Sequence, residues 1–203
     1  MADLIVAGLT VREDDRGRLH FWGEVFNLSE VAKRWVRVTI RLLGEDDMPL
    51  MEGMDITALE WTLPGGRNAF HIRFQDPPQG WKSYEITVTG QDHDWNDFSV
   101  PQPAPGLLVD RVHYREIGRA DLYCGLIGML SNTGLVPATH VKVAGTLYGP
   151  DGSVVGLVSP YLVPRGVFRP GDAMAFELKF YAVGGIVANY QVQTQGRRQA
   201  SNF

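Results

Sequence analysis

The chain contains an internal repeat: its two halves carry the same pattern of turn-forming and apolar residues about a hundred positions apart. The recurring residues, written as pairs, are Gly23 and Gly128, Asn27 and Asn132, Val36 and Val141, Leu42 and Leu147, Pro64 and Pro170, Phe70 and Phe176, Phe74 and Phe180, and Tyr84 and Tyr190. Residues of these types form turns and cores, so the repeat predicts two copies of one structural unit.

Alternation of apolar and polar residues predicts β-strands in both copies. The alternating segments are residues 36–42, 69–74 and 84–88 in the first copy and residues 141–147, 175–180 and 190–193 in the second. This period is typical of antiparallel sheets that have one buried and one solvated face. We expect the phenylalanines of the two Phe-x-x-x-Phe segments to be buried, because residues four apart on a strand share a face.

Six or seven short strands per copy, separated by turns, favour an all-β chain of two tandem immunoglobulin- or fibronectin-like antiparallel β-sandwiches. We expect the first domain over residues 1–90 and the second over residues 107–196. Residues 91–106, first acidic and then proline-rich, are interpreted as a linker, and residues 197–203 as a polar tail.

Composition narrows the classes of partner. A net charge of −4 without a basic block argues against nucleic acid as a partner. Cys124 is the only cysteine, which excludes an intrachain disulfide, and its apolar strand predicts a buried, inert thiol. No apolar run reaches the roughly 20 residues of a membrane span. Residues 1–4 lack the features of a signal peptide, so the compartment stays open.

The repeated residues resemble the FxLYD-type domain, a fibronectin-like β-sandwich module of bacterial and archaeal exported or surface proteins. The resemblance rests on the Gly-x-x-x-Asn, Leu-Tyr, Asp-Gly, Pro-Gly, Phe-x-x-x-Phe and Tyr elements, which in the second copy are Gly128, Asn132, Leu147, Tyr148, Asp151, Gly152, Pro170, Gly171, Phe176, Phe180 and Tyr190. The signature aspartate is replaced by Gly44 in the first copy and Gly149 in the second. The resemblance implies a non-enzymatic accessory module with no catalytic residue, in an exported or cell-envelope protein.

Three aspartates of the linker, Asp92, Asp94 and Asp97, are the best candidates for a metal site. Calcium requires six to eight oxygen ligands, so three carboxylates favour a solvated linker instead, and we expect neither a metal nor a cofactor.

Methionine and histidine patterns suggest weaker sites. The spacing of Met48, Met51 and Met54 would suit Cu(I), although packing of the thioethers as apolar fillers is favoured. The histidines lack zinc-ligand spacing, and His71 and His140 are expected to point outward from strands.

All five tryptophans precede residue 96, and the second copy has none. An exposed pair such as Trp61 and Trp81 is a candidate platform for stacking on sugars or docking a protein. Trp35, expected on an outer face or at a strand end, is a further candidate for ligand binding. We therefore expect any ligand to bind the first domain.

The sequence favours a non-enzymatic interaction or spacer module with a protein or glycan ligand. Two alternatives stay open at this point. One is a carbohydrate-binding module that uses the tryptophans of the first domain, and the other is a hydrolase with a site between the domains.

Overall fold

The computed structural model describes residues 2–97, 99–119 and 122–199, and its regular structure is β-strand apart from one 3-10 turn, Glu45–Asp47. The strands of the first half are β1 (Leu4–Glu13), β2 (Leu19–Asn27), β3 (Lys33–Leu43), β4 (Pro49–Ile56), β5 (Trp61–Thr62), β6 (Arg67–Phe74) and β7 (Ser83–Asp92). Those of the second half are β8 (Leu107–Arg119), β9 (Leu122–Asn132), β10 (Ala138–Tyr148), β11 (Val154–Val158), β12 (Tyr161–Val163), β13 (Ala173–Phe180) and β14 (Asn189–Arg198).

Both halves have the same sheet topology. In the first half one sheet has the order β1-β2-β6, and in the other β3 is flanked by β4 and β7, with the short β5 at its start. In the second half the corresponding sheets are β8-β9-β13 and the set in which β10 pairs with β11, β12 and β14. The prediction of an all-β chain with two antiparallel sandwich-like halves is therefore confirmed.

The chain forms two compact units that do not follow the repeat strictly. Unit 1 consists of Met1–His93, Tyr148–Leu157 and Gly184–Asn189, whereas unit 2 consists of Asp94–Leu147, Val158–Val183 and Tyr190–Phe203. Two short segments of the second half thus belong to the first unit.

The core of unit 1 lies between its two sheets. It is built from buried residues of β2, β3 and β6, namely Leu19, Phe21, Val25, Val36, Val38, Ile40, Leu42, Phe70, Ile72 and Phe74. In the second half Phe176 and Phe180 are 4% and 0% exposed, so the predicted burial of both Phe-x-x-x-Phe pairs is confirmed. Cys124 is buried as expected, and burial raises the pKa of its thiol.

The repeated glycine and the repeated phenylalanine are cross-strand partners. Gly23 lies opposite Phe70, and Gly128 lies opposite Phe176. A Cβ atom at Gly23 would stand 2.7 Å from Phe70 Cζ, and one at Gly128 would stand 2.6 Å from Phe176 Cζ. Each phenylalanine ring therefore occupies the space that a side chain at the glycine would need.

The repeated asparagine joins three segments in each half. The Asn27 Nδ2 group donates to Val31 O at 2.8 Å and to Thr62 O at 2.9 Å. In the same way Asn132 Nδ2 donates to Val136 O at 3.0 Å and Phe168 O at 2.9 Å. Because both asparagines are at most 1% exposed, these bonds satisfy the amide groups of side chains that are themselves buried.

Two β-bulges also occur in both halves. Trp35 and His140 occupy matched positions with φ of 52° and 49°, and Gly8 and Arg111 do so with φ of 59° and 51°. A positive φ is unfavourable for Trp35, His140 and Arg111, because each has a Cβ atom. Pairing with the neighbouring strands holds these residues in the left-handed conformation. The sequence pattern did not predict these bulges.

Residues assigned to the linker and the tail form backbone bonds in unit 2. The Ala104 amide donates to Gly196 O at 2.8 Å, and the Arg198 amide donates to Gln102 O at 2.7 Å. Strand β14 thus extends into the region interpreted as a tail, and residues 200–203 lie outside the described residues.

Replacement of Phe176 by alanine should lower the free energy of unfolding by about 3–5 kcal/mol, through lost burial and a residual cavity over Gly128. Urea titration of the full chain measures this loss. The matched control is Glu177→Ala on the opposite face of β13, where we expect a change within about 0.5 kcal/mol. A loss below about 1 kcal/mol for Phe176→Ala would contradict its place in the core.

Candidate functional site

The unrepeated polar residues of the first half gather on the outer face of the β1-β2-β6 sheet. His20, Trp22 and Glu24 alternate along β2 and share this face. His71 on β6 lies opposite Trp22, and Arg73 lies opposite His20. All three residues of β2 are at most 3% exposed, so this strand is buried on both faces.

Segments of unit 1 from later in the chain cover this face. A Cβ atom at Gly184 would stand 2.8 Å from Trp22 Cζ3, so only glycine permits that approach to the indole. The Tyr148 hydroxyl donates to Glu24 Oε1 at 2.6 Å, and Arg67 Nη1 lies 3.7 Å from Glu24 Oε2. These partners satisfy a carboxylate that would be costly to bury alone.

A chain of hydrogen bonds leads from Asp14 through His20 to His71. His20 Nε2 lies 3.1 Å from Asp14 Oδ2, and His20 Nδ1 lies 2.9 Å from His71 Nε2. An ionised carboxylate only accepts, so neutral His20 donates through Nε2 and accepts at Nδ1 from the Nε2–H of His71. This order of donors leaves Nδ1 of His71 as an unprotonated acceptor.

Electrostatics keep both imidazoles neutral. Arg18 Nε donates to Asp14 Oδ2 at 2.6 Å and is the main reason why the pKa of Asp14 lies well below its usual range. Burial lowers the pKa of His20, although the bond to Asp14 opposes this effect. Burial is the main reason why the pKa of His71 falls to about 3, and the nearby positive charge of Arg73 lowers it further. The Trp22 ring stacks on both imidazoles, with centroids 4.8 and 4.9 Å away.

His71 also lines a groove between β4 and β6. The groove has a volume of about 450 Å³ and is walled by Gly53, Met54, Asp55, His71, Ile72 and Arg73. Strand β4 is the terminal strand of its sheet, and β6 is the terminal strand of the facing sheet. The groove therefore runs along two sheet edges and combines two apolar side chains, Met54 and Ile72, with the charged Asp55 and Arg73.

The tryptophans do not form the exposed platform that the sequence suggested. Trp61 is 2% exposed, and its ring meets that of His93 edge-on at 5.9 Å, so the expectation of an exposed Trp61–Trp81 pair is wrong. Trp81 is half-buried against the core of unit 1, and Trp35 is half-buried with the Arg34 guanidinium 5.2 Å from its ring. Trp95 is the most exposed of the five, at 47%.

The aspartates of the linker have separate partners. Asp92 Oδ1 accepts from the buried Lys33 Nζ at 2.6 Å. Asp94 accepts from the Asn96 amide at 2.8 Å, and Asp97 accepts from the Ser99 amide at 2.9 Å, so each closes a turn of its own. Within residues 2–97, 99–119 and 122–199 no three His, Cys, Asp or Glu side chains gather as metal ligands.

The methionine triplet and the histidines differ from expectation. Met48, Met51 and Met54 are 62%, 37% and 60% exposed, so packing as fillers is wrong. Met51 lies opposite inward-facing Leu42 and Met54 opposite Thr39, which places their thioethers on opposite faces. His71 points not to solvent but to His20, whereas His140 is exposed as expected.

Sequence reasoning missed the pair of His20 and His71 because the two residues are 51 positions apart and neither lies at metal-ligand spacing. The repeat contained a usable signal. By the offsets of the repeat, the matching residues of the second half are Gly125 and Glu177, so the histidines are additions to the common scaffold.

Comparisons with known proteins give only distant structural likenesses. No protein-family model matches this chain, and no curated protein does. It is similar to red sea bream transglutaminase, with a TM-score of 0.29 and 10% identity, over 97% of this chain and 29% of that one. It is also similar to the exo-chitosanase CsxA of Amycolatopsis orientalis, with a TM-score of 0.28 and 13% identity, over 93% of this chain and 25% of that one.

The chain thus spans less than a third of either of these proteins. Likeness at this level assigns no activity. Among the helices of the described residues, none has the length and apolar character that a bilayer crossing needs.

The histidine pair should make the protein acid-sensitive. Because the pKa of His71 is about 3 in the native state and near 6.5 in the unfolded chain, stability is complete above pH 6.5 and falls as the pH drops towards 3. One proton accounts for at most about 1.4 kcal/mol per pH unit. Between pH 6.5 and 4.5, His71→Gln should show a shallower decline in the free energy of unfolding than the wild type.

The control for this experiment is His113→Gln, which changes an exposed histidine and should keep the wild-type slope. Urea unfolding at half-unit pH intervals measures all three proteins. Equal slopes for the wild type and His71→Gln would contradict the neutral, buried state of His71.

Millimolar calcium should leave the melting temperature unchanged, since Asp92, Asp94 and Asp97 already have separate protein partners. Binding to the native state alone would add about 2.7 kcal/mol at a hundred times the dissociation constant. Differential scanning fluorimetry of the wild type and of Asp92→Asn with Asp94→Asn checks this. A calcium-dependent rise that is lost in the double variant would refute it.

Proposed function

We propose that this protein is a non-enzymatic protein-interaction module, in which the first half binds a protein ligand and the second half positions it. The observation that carries the proposal is the exposed edge strand β4 of the first half. Five apolar side chains on and next to this strand are 37–62% exposed, namely Met48, Leu50, Met51, Met54 and Ile56. Exposed apolar side chains clustered along one edge strand are typical of an interaction site.

The geometry of β4 suits the addition of an extended peptide. The strand is eight residues long and pairs with β3 on one side. In the part of the chain that the structure describes, no strand pairs with its other side. The backbone groups along such an edge can bond to an incoming strand, and the groove beside His71 and Arg73 can receive its side chains.

Natural proteins usually protect such edges with lysines, prolines, bulges or short strands. Strand β4 has no lysine, its only proline is the first residue, and its one register shift against β3 falls at Leu50. From Met51 to Ile56 its pairing with β3 is regular. Among the other strands that end a sheet, β1 and β8 contain bulges and β5 has two residues. The regular outer edge of residues 51–56 has no strand beside it among the described residues.

The matching strand of the second half is covered by its own chain. In β11, Val154 and Val155 are at most 3% exposed, and Val155 O accepts from the Gly184 amide at 2.6 Å. The two halves therefore differ at this edge, although their cores match. This difference favours the first half as the binding half.

A non-enzymatic role fits the chemistry of the groove. Its imidazole, His71, has a pKa of about 3, so it is a weak proton acceptor near neutral pH. The bonds of His71 to His20 and of His20 to Asp14 instead tie β6 to the β1–β2 turn. We assign this chain of bonds to the stability of the sheet.

The FxLYD-type relationship belongs to the same proposal. Its support is that the glycine and phenylalanine that carry the resemblance are close cross-strand partners in each half, and that the asparagine makes equivalent buried bonds in both halves. The resemblance implies an exported or cell-envelope protein. A glycan ligand is less favoured, because the buried indole of Trp61 offers no open face for a sugar.

Panning a library of 12-residue peptides on the immobilised full chain tests the proposal. We expect enrichment of peptides with alternating apolar residues, and Met54→Glu should raise their dissociation constant by about tenfold or more, as fluorescence polarisation measures. The matched control is Leu135→Glu, which places the same charge at a residue of unit 2 that is 94% exposed. Absence of enriched peptides, or unchanged binding to Met54→Glu, would overturn the proposal.

A further inference from the structure

We propose that this chain associates with a second copy of itself, whose acidic turn at residues 44–48 docks on the outer face of the β8-β9-β13 sheet. Each half of the chain contains one such turn and one such face, and unit 1 shows how a turn and a face of this kind fit together. The surface differs from the outer edge of residues 51–56, so this inference does not rest on the proposed function.

In unit 1 the turn between β10 and β11 packs on the β1-β2-β6 sheet. A Cβ atom at Gly8, in the bulge of β1, would stand 3.3 Å from Gly152 O and 3.7 Å from Ser153 Cα. The Gly149 amide closes this turn by donating to Ser153 O at 2.8 Å. A turn that follows the third strand of one repeat thus packs on the first sheet of the other repeat.

The first half has the same turn between β3 and β4. It is closed in the same way, because the Gly44 amide donates to Met48 O at 2.9 Å. Asp47 takes the position of Gly152 in the repeat, and both residues have a positive φ, 56° and 80°. Residues 45–50 are exposed, so the turn of the first half presents its surface to solvent.

The second half has the corresponding face, and this face is exposed. Ile127 takes the position of Trp22 in the repeat and is 36% exposed, whereas Trp22 is 3% exposed. Tyr123, on the same face of β9, is 50% exposed. The bulge recurs as well, because Arg111 matches Gly8 and has a φ of 51° against 59°. One turn and one face thus meet in unit 1, and each chain has a further turn and a further face in contact with solvent.

The residues that differ between the two pairs of surfaces favour the acidic turn as the partner. In unit 1 two glycines meet, Gly8 of the face and Gly152 of the turn. At the equivalent positions of the exposed surfaces stand Arg111 on the face and Asp47 in the turn. Two residues without side chains are therefore replaced by two residues of opposite charge. Asp46 adds a second carboxylate beside Asp47.

The other charges of the face leave an excess of positive charge on β8. Arg111 Nε lies 4.0 Å from Oδ2 of the adjacent Asp110, and both side chains are exposed. Arg115 is exposed on the same face, opposite Gly125. Opposed charges across an interface favour association and exclude partners of the wrong sign. The face therefore fits an acidic turn and disfavours a basic one.

Reversal of charge on each surface tests this pairing. In sedimentation equilibrium of the full chain from about 1 to 500 μM, we expect the wild type to associate, and Asp47→Lys or Arg111→Glu to weaken association by about tenfold or more. Both substitutions in one chain should restore association, because the two charges exchange places. The matched controls are Glu30→Lys and Arg165→Glu, which reverse exposed charges outside both surfaces and should leave the association constant unchanged.

Hydrogen–deuterium exchange gives a second measurement that needs no variant. When the wild type is concentrated, amide exchange should slow both in the turn of residues 44–48 and in residues 108–115 of β8. In Asp47→Lys, exchange of both segments should stay the same at low and high concentration. Circular dichroism and urea unfolding show that each variant is folded.

The outcomes separate this inference from the proposed function. A wild type that is monomeric at all concentrations overturns the self-association, and so does association that neither charge reversal weakens. Slower exchange in residues 51–56 without any change in residues 108–115 would place the second copy on another surface and would also overturn it. The proposed function is judged independently, by the binding of selected peptides to the wild type and to Met54→Glu.

Discussion

The buried carboxamide of one asparagine in each half is the interaction on which the rest of the sandwich depends. Asn27 and Asn132 each end the second strand of their half and donate to two carbonyl groups of later segments. Their backbones also pair with the Pro-Gly turn, where the amides of Gly65 and Gly171 donate to Asn27 O and Asn132 O. One residue thus connects a strand end, the following loop and a distant turn, and no apolar residue could satisfy those carbonyl groups.

The duplicated residues are scaffold, and the unduplicated ones are where function can reside. Glycine under a phenylalanine ring, asparagine at the strand end and a left-handed bulge occur in both halves with nearly the same geometry. The histidine-containing outer face of β2 and the exposed edge strand β4 belong to the first half and have no equivalent in the second. Because the two halves have matching cores, the residues that differ between them point to roles other than packing.

The histidine pair and the open edge lie in one region of unit 1. His71 belongs both to the chain of bonds from Asp14 and to the wall of the groove beside β4. The chain of bonds holds β6 in place, and β6 forms the floor against which β4 rests through the close approach of Gly53 to Phe74. A rigid β6 therefore supports a β4 whose own outer edge has no strand beside it among the described residues.

The sequence alone determined the fold class, the duplication and the buried phenylalanines, because alternation and turn residues act locally or within one pair of strands. It did not determine which faces were covered. Trp22 was covered by Gly184, more than 160 positions away, and Trp61 was buried, although the sequence suggested that it was exposed. The exposure of Met54 and the contact of His20 with His71 were likewise decided by which strands ended a sheet and which lay side by side. Strand order depends on pairing between segments that are distant in the sequence, and local periodicity does not predict which segments pair.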